Sequence, residues 1–289
     1  MFNLRSLLIQ SCSFLFLWTA VSCLPSIPSR PTAKTGGPAT RDEHLALGNP
    51  SGASQSDPNN YLLSRPGYTL SYNRDRNTAN WVSWHLSSAW KGSSQRSNDF
   101  RPDAGLPSDW YRVRPSDYSN TGYDRGHLCP SDDRDASPEE NAATFMMTNI
   151  VPQAPRHNRE VWKSLEDYCR QLAGQGNELY IMAGVQGTGG TGAEGYRKYI
   201  ADRNVTVPAS LWKVIVVLPI GTEDARRITP ETRVIAVNIP NRQSAADKPW
   251  EAYQLSVDEL EDLTGYDFLS ALPTDLQRQI EGRNAAGKM

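Results

Sequence analysis

GYDRGHLCPSDDR, residues 122–134, sets an acid, a base, a glycine and a histidine in direct succession, in a chain with only four histidines. Asp124-Arg125-Gly126-His127 has two readings on its face. One is a solvated turn in which Asp124 and Arg125 pair, an arrangement worth little at a surface. The other is a reactive loop. There Gly126 lets backbone pack closely behind the histidine, and His127, with an ordinary pKa of about 6.5, exchanges protons near neutral pH. The tetrad alone does not choose between them.

A second segment bears on the choice. TNIVPQAPRHNREVWKSLEDYCR, residues 148–170, carries Asn149, Gln153, Asn158 and Glu166. Within it Val161, Trp162, Leu165, Cys169 and Leu172 recur at helical spacing, which predicts a helix from Asn158 to Gly174. Asn158 and Glu166 are eight residues apart, about 80° of rotation and roughly 12 Å along a regular axis. Both look toward one side, yet direct ligation of one ion by both does not fit. A cation on Asn158 whose bound water is held by Glu166 does. Asn158 is equally suited to capping the helix, and Glu166 to pairing with Arg170 one turn on.

Around these segments the chain reads as α+β. YTLSY (68–72) and WVSWHL (81–86) are β-rich runs across a turn-like NRDRNT, which predicts a hairpin. LYIMAG (179–184), LWKVIVVLP (211–219) and RVIAVNIP (233–240) predict further strands, the middle one buried on both faces. Ser137-Pro138-Glu139-Glu140 and Ser256-Val257-Asp258-Glu259 open two more helices, the second closed by Gly265. Strands and helices do not alternate regularly, so the expectation is a central antiparallel or mixed sheet flanked by helices. No second composition break or internal repeat is evident, which favours one domain over residues 44–289.

The N-terminus reads as a targeting segment. Arg5 precedes the apolar stretch LLIQSCSFLFLWTAV, and Ala20 and Ser22 suit cleavage before Cys23, giving a signal peptide over 1–22. Ala20-Val21-Ser22-Cys23 also reads as a weak lipobox, with Cys23 as a lipid anchor, and the stretch is too short for a comfortable membrane span. Residues 23–43 are rich in Pro, Gly, Ser and Thr and read as a tether. An exported chain, secreted or periplasmic, keeps no transmembrane segment once the leader is removed.

With these segments in view the chain resembles the DNA/RNA non-specific endonucleases, the ββα-metal (His-Me finger) nucleases whose signature is Asp-Arg-Gly-His followed by a helix-borne Asn. It is closest to their secreted, sugar-non-specific cyanobacterial branch. LGNPSGA, YTLSYN, NWVSW, FRPD, GYDRGH, NAATF, LEDYCR, TRVIAVNIP and SVDELEDLTGYDFLS carry the likeness from about Leu47 to Ala271. The resemblance implies a ββα-metal site with these roles. His127 is the general base for the attacking water, and Asn158 the one direct ligand of a divalent Mg²⁺ or Mn²⁺, with Glu166 holding a bound water. Arg96, in GSSQRSNDF, contacts the scissile phosphate, and Arg125 and Arg170 assist. Asp124 orients the loop, and Gly126, Asn149 and Gln153 support it. The resemblance also implies cleavage of single- and double-stranded DNA and RNA to 5′-phosphate ends. Cys129 departs from the pattern, and in an oxidising compartment it invites a bridge to Cys169.

These types suit phosphodiester hydrolysis. A hard cation with mostly water ligands offsets charge on phosphate and leaving oxygen, and an arginine fork fits the phosphate. Backbone contacts alone read no base. The net charge of −2 excludes a globally basic nucleic-acid binder. The expectation is therefore a local basic cleft drawn from Lys91, Arg96, Arg101, Arg125, Arg156, Arg159, Lys163 and Arg170. Trp81, Trp84 and Trp90 are expected in the core, and GVQGTGGTGAEG (184–195) in a flexible surface loop. Two alternatives stand: a zinc hydrolase built on His85, His127 and His157, and a non-catalytic nucleic-acid-binding lipoprotein. A dedicated inhibitor protein is a further expected partner.

Overall fold

Val214-Ile215-Val216-Val217 places β-branched side chains on successive residues, which an extended backbone tolerates best when both faces are covered. In the computed structural model, which describes residues 36–283, that run is central to a seven-stranded sheet. The strands in chain order are β1 (Tyr61–Arg65), β2 (Tyr68–Asn73), β3 (Thr78–Leu86), β4 (Asp124–His127), β5 (Ile150–Gln153), β6 (Asn177–Gln186), β7 (Gly190–Gly192), β8 (Gly195–Arg197), β9 (Tyr199–Ile200), β10 (Val205–Thr206), β11 (Ser210–Pro219), β12 (Arg233–Pro240) and β13 (Gln254–Leu255). The large sheet runs β1-β2-β3-β6-β11-β12-β13, and each of its pairings is antiparallel. The expected hairpin is β2–β3.

Alternation on β11 splits the core in two. Leu211 and Ile215 join Trp84, Val161, Trp162, Leu165 and Leu172 on one face. Trp212, Val214 and Val216 join Trp81, Val257, Leu260 and Ile280 on the other. Helices α1 (Pro138–Ala143), α2 (Lys163–Gly174), α3 (Asp224–Arg227), α4 (Val257–Thr264) and α5 (Thr274–Glu281) follow the strands. Residues from α2 line the first face, and residues from α4 and α5 the second. The capping readings hold: Ser137 Oγ accepts from Glu140 N at 3.2 Å, Ser256 and Glu259 form a reciprocal box, and Gly265 ends α4 at φ 72°. Trp81, Trp84 and Trp90 are buried.

The motif lies on a separate two-stranded ribbon. β4 pairs antiparallel with β5, Asp124 opposite Gln153 and His127 opposite Ile150, and the chain then enters a helix. This is the ββα unit.

Four expectations need correcting or placing. The helix does not start at Asn158. Helical backbone begins at Pro155, Asn158 N donates to Ala154 O at 2.9 Å, and His157–Trp162 is a π-helical turn. Asn158 is therefore inside the helix and not a cap. The Cys129–Cys169 bridge is not formed: both are free, buried thiols, each pushed up to about 12 by burial. Desolvation disfavours the thiolate that exchange requires. The glycine run is no featureless loop, since β7 pairs with β8 and Ala193 N donates to Gly122 O at 2.8 Å, beside the motif. The last part of the expected tether is seated. Gly36 N donates to Ile220 O, Ser87 Oγ to Thr40 O, and the Arg41 guanidinium covers Trp90. The leader (1–22), Cys23 and the tether up to residue 35 lie outside the described residues. No helix among the described residues is long and apolar enough to cross a membrane.

Candidate active site

A cleft of about 210 Å³ lies at the ββα unit. Its lining includes Arg96, Arg125, His127, Asn158, Glu166 and Arg170, together with Arg159, Lys163 and Asp132. β4 delivers Arg125 and His127, and the helix delivers Asn158, Glu166 and Arg170. Arg96 arrives from the loop after Trp90.

The π turn decides how the helix meets the cleft. In a regular α-helix eight residues make about 2.2 turns, which puts Asn158 and Glu166 out of phase. A π turn takes one more residue, so here eight residues close nearly two full turns and both side chains face the same way. Asp124 then fixes the Asn158 amide: Asn158 Nδ2 donates to Asp124 Oδ2 at 2.9 Å. A carboxylate only accepts, so the amide nitrogen must face it and the carbonyl oxygen must face elsewhere. Arg159 grips both oxygens of Asp124 from outside, at 2.7 and 2.6 Å. The Asp124–Arg125 pairing of the solvated-turn reading is not formed.

His127 is 8% exposed, edge-on to Phe145 at 4.8 Å between centroids and tilted against Phe100 at 5.5 Å. Its Nε2 is buried without a hydrogen-bond partner. Burial, with the Arg96 charge adding to it, lowers its pKa from 6.5 to about 3, so the ring is neutral throughout the physiological range. Arg125 lies over Phe100 at 4.4 Å and Arg96 over Phe145 at 4.9 Å. The aromatic pair that wraps the histidine thus also carries both arginines. Arg96 donates to Ser131 Oγ and to Asn98 Oδ1. Neither arginine has a carboxylate partner among the described residues.

Residues 49–275 match the family described as DNA/RNA non-specific endonuclease. A nuclease of a Nostoc sp. is 52% identical over 242 residues, covering 83% of this chain and 85% of its own length. The chain belongs to that family. It is thus a phosphodiester-hydrolysing endonuclease. Mitochondrial nuclease EXOG of Danio rerio is 31% identical over 211 residues, 71% of this chain and 60% of its own. The solved EndoG/EndoGI complex contains a chain superposing with TM-score 0.67 at 24% identity, over 84% of this chain and 96% of that one, a likeness of fold.

In the endonuclease, buried polar side chains hold the site in shape. Asn149, fully buried, accepts from Cys129 N at 2.9 Å and donates to Cys129 O and Thr144 O. A side chain at Gly126 would overlap that of Gln153, whose own amide atoms find no partner among the described residues. The acidic end of the opening stretch is structural. Asp133 accepts from Trp84 Nε1 at 2.9 Å and from Arg170 Nη1 at 3.0 Å. Arg134 is fully buried and donates to Gly67 O, Asp133 O and His85 O. Charged letters in a polar run give no sign of this. Lys213 was missed for a different reason: it stands in the apolar run LWKVIVVLP, whose buried-strand pattern says nothing of a partner for the charge. It is 1% exposed, and its Nζ lies 3.9 Å from Glu166 Oε1.

Several expected neighbours are elsewhere. Lys91 pairs with Asp135, Arg101 with Asp99, and Arg156 with Glu160 and Asp247; none lines the cleft. His44 accepts from His85 N. His157 is fully buried, stacked on Trp162 at 5.6 Å. His85 packs on Tyr180, within the second face's cluster. His85, His127 and His157, the set expected for a zinc hydrolase, share no candidate ligand group among the described residues.

Two groups of candidate ligands occur among the described residues, Asp42/His85/Glu178/Asp224 and Asp258/Glu261/Glu281, and neither includes a cleft residue. In the first, His85 Nδ1 accepts from Asp42 N and Trp90 Nε1. The proton therefore sits on Nε2, facing Asp42 and Glu178, and the nitrogen a metal would need is occupied. The cleft itself presents the Asn158 carbonyl oxygen and the Glu166 carboxylate, which accepts no hydrogen bond from a described residue. An all-oxygen set fits a hard divalent cation.

Proposed function

We propose that the cleft hydrolyses DNA and RNA, single- and double-stranded, without sequence or sugar preference, and leaves 5′-phosphate ends. What supports the reading is the convergence of His127, Asn158, Glu166, Arg96, Arg125 and Arg170 on one small cleft. Asn158 Oδ1 would hold one Mg²⁺ or Mn²⁺, with Glu166 holding a water of its shell. When bound, such a cation supplies positive charge where it develops negatively, on the phosphate and the leaving 3′-oxygen.

The remaining work falls to side chains. Arg96 and Arg125 seat the phosphate with forks free of carboxylates. His127 enters neutral and accepts the proton of the attacking water. Burial is the main cause of the low histidine pKa and the Arg96 charge the lesser one; a phosphate bound beside Arg96 offsets the lesser part and so raises the basicity somewhat when substrate is present. Arg170, held by Asp133, assists at the phosphate, while Asp124, Gly126, Asn149 and Gln153 keep loop and helix in place. Backbone contacts read no base edge, and none requires a 2′-hydroxyl.

The polar-flanked apolar leader supports export, secreted or periplasmic, with Cys23 as the residue that would carry a lipid. A cell that makes such an enzyme needs protection before export, so an inhibitor protein seated on the cleft is a further proposed partner; the solved EndoG/EndoGI complex is described as one of EndoG inhibition.

Plasmid nicking in Mg²⁺ against chelator tests the reading. His127→Ala should lose about 10²–10⁴-fold in turnover while still binding DNA, and wild-type cleavage by that variant would remove His127 as base. Asn158→Ala should raise the Mg²⁺ requirement, and an unchanged titration would strike it from the ligands.

A further inference from the structure

We propose that Lys213 is the positioning residue for Glu166, which rests on the reading of the cleft given above. Lys213 stands on β11 between Leu211 and Ile215, facing α2. Strand alternation gives that position to an apolar side chain, and an ammonium taken out of water is costly unless it is paired. Its surroundings are specific. Nζ lies 4.2 Å from the Trp162 ring and 5.6 Å from the Trp84 ring, electron-rich faces that attract a cation. Glu166 is the one carboxylate within ion-pair reach among the described residues.

Glu166 needs such a partner. Its side chain is 12% exposed, and a carboxylate so far out of water is costly unless it is paired. Arg170 forms no hydrogen bond to it, because its fork is spent on Asp133 at 3.0 Å and Asp167 at 2.5 Å. Lys213 therefore draws one carboxylate oxygen toward the sheet, and the other stays with the cleft. The two tryptophans hold the ammonium. Trp84 is itself tied to Asp133, which links Lys213, Glu166 and Arg170 into one unit beneath the cleft. A purely structural lysine would leave catalysis indifferent to its removal, whereas a positioning lysine acts only through Glu166.

The test is a double-mutant cycle with Lys213→Met, Glu166→Gln and the pair. Lys213→Met should lower turnover on plasmid DNA about 10–100-fold with KM for DNA unchanged. The Mn²⁺ dissociation constant, read by EPR of the free ion, should rise by a similar factor. Lys213→Arg should restore part of both. On the Glu166→Gln background Lys213→Met should change neither readout. Should Lys213→Met alone not fold, the neutral pair decides: equality with Glu166→Gln supports the assignment. Losses that multiply in the pair, or a folded Lys213→Met with wild-type turnover and Mn²⁺ affinity, overturn it. A Glu166→Gln enzyme of full activity would instead refute the role given to Glu166 in the cleft.

Discussion

Three backbone groups around the His127 loop depend on one carboxamide. Asn149→Ala would strand Cys129 N, Cys129 O and Thr144 O in the interior, and each buried orphan costs about 1–3 kcal/mol. The expected loss is at least about 3 kcal/mol, read as a fall in the urea midpoint at unchanged slope, with turnover reduced because His127 is the next residue but one. A loss under about 1 kcal/mol would mean the loop holds itself. Neighbouring Cys129 makes a complementary case. Burial raises both thiols to about 12, so neither should react with a disulfide reagent in the native protein. Rapid native labelling would contradict that burial. At this scale the sequence was uneven. That His127 and Asn158 share one cleft was legible, because a short motif and a family likeness single them out. Asp133 and Arg134 were not, because a charged letter in a polar run reads as solvated, and Lys213 was not, because the apolar strand around it names no partner for the charge.

The decisive element is the π turn at His157–Trp162. Helical periodicity located this helix through Val161, Trp162, Leu165, Cys169 and Leu172. It could not register a single wide turn, so Asn158 and Glu166 seemed about 80° apart. The β-branched runs of β6, β11 and β12 and the two capping boxes were legible for plain local reasons. DRGH and IVPQ were not readable as strands, being short and lacking alternation. The wide turn yields a paired expectation. Deleting Glu160, exposed within the π segment, puts Asn158 and Glu166 seven positions apart, about 1.9 regular turns. Inserting one alanine there makes nine, which swings Asn158 away by about a quarter-turn. The deletion should keep much of the Mg²⁺-dependent nicking and the insertion should abolish it, both remaining folded by circular dichroism. Equal activity in the two variants would show that the turn's width is immaterial.

Across the whole molecule, charge is nearly balanced at −2 while the cleft collects Arg96, Arg125, Arg159, Lys163 and Arg170 against Asp132 and Glu166. Arg96 and Arg125 alone of these five lack carboxylate partners, so log KM should rise with log salt at a slope of about 2. Arg125→Ala should reduce that slope by about 1, and an unchanged slope would place Arg125 off the substrate path.

Stability should respond to pH through groups on both faces of the sheet. Burial lowers His44 from 6.5 to about 4 and His127 and His157 to about 3. Below about 6.5 the unfolded chain takes up protons that the fold refuses, so their contribution is lost as pH falls toward those values. Burial raises Glu166 and Glu261 from 4.5 to about 7 and Glu281 to about 8, with Glu261 and Asp258 adding to the last. The fold keeps these protons where the unfolded chain has released them, so their contribution is lost as pH rises through 7 and 8. Between about 4.5 and 6.5 three histidines oppose three carboxyls and the slopes offset, each being at most about 1.4 kcal/mol per pH unit. Above 6.5 only the carboxyls still titrate, and stability should decline. The melting temperature in chelator should therefore form a plateau across mildly acidic pH and fall on both sides. Glu281→Gln should flatten the alkaline fall and leave pH 4 unchanged, because below 4.5 the carboxyl is protonated in both states, whereas above it the unfolded chain releases a proton that Glu281, 5% exposed, keeps in the fold up to about 8. A melting temperature that still climbs from pH 7 to 8.5 would show that the acidic cluster where α4 meets α5 is already ionised at neutral pH.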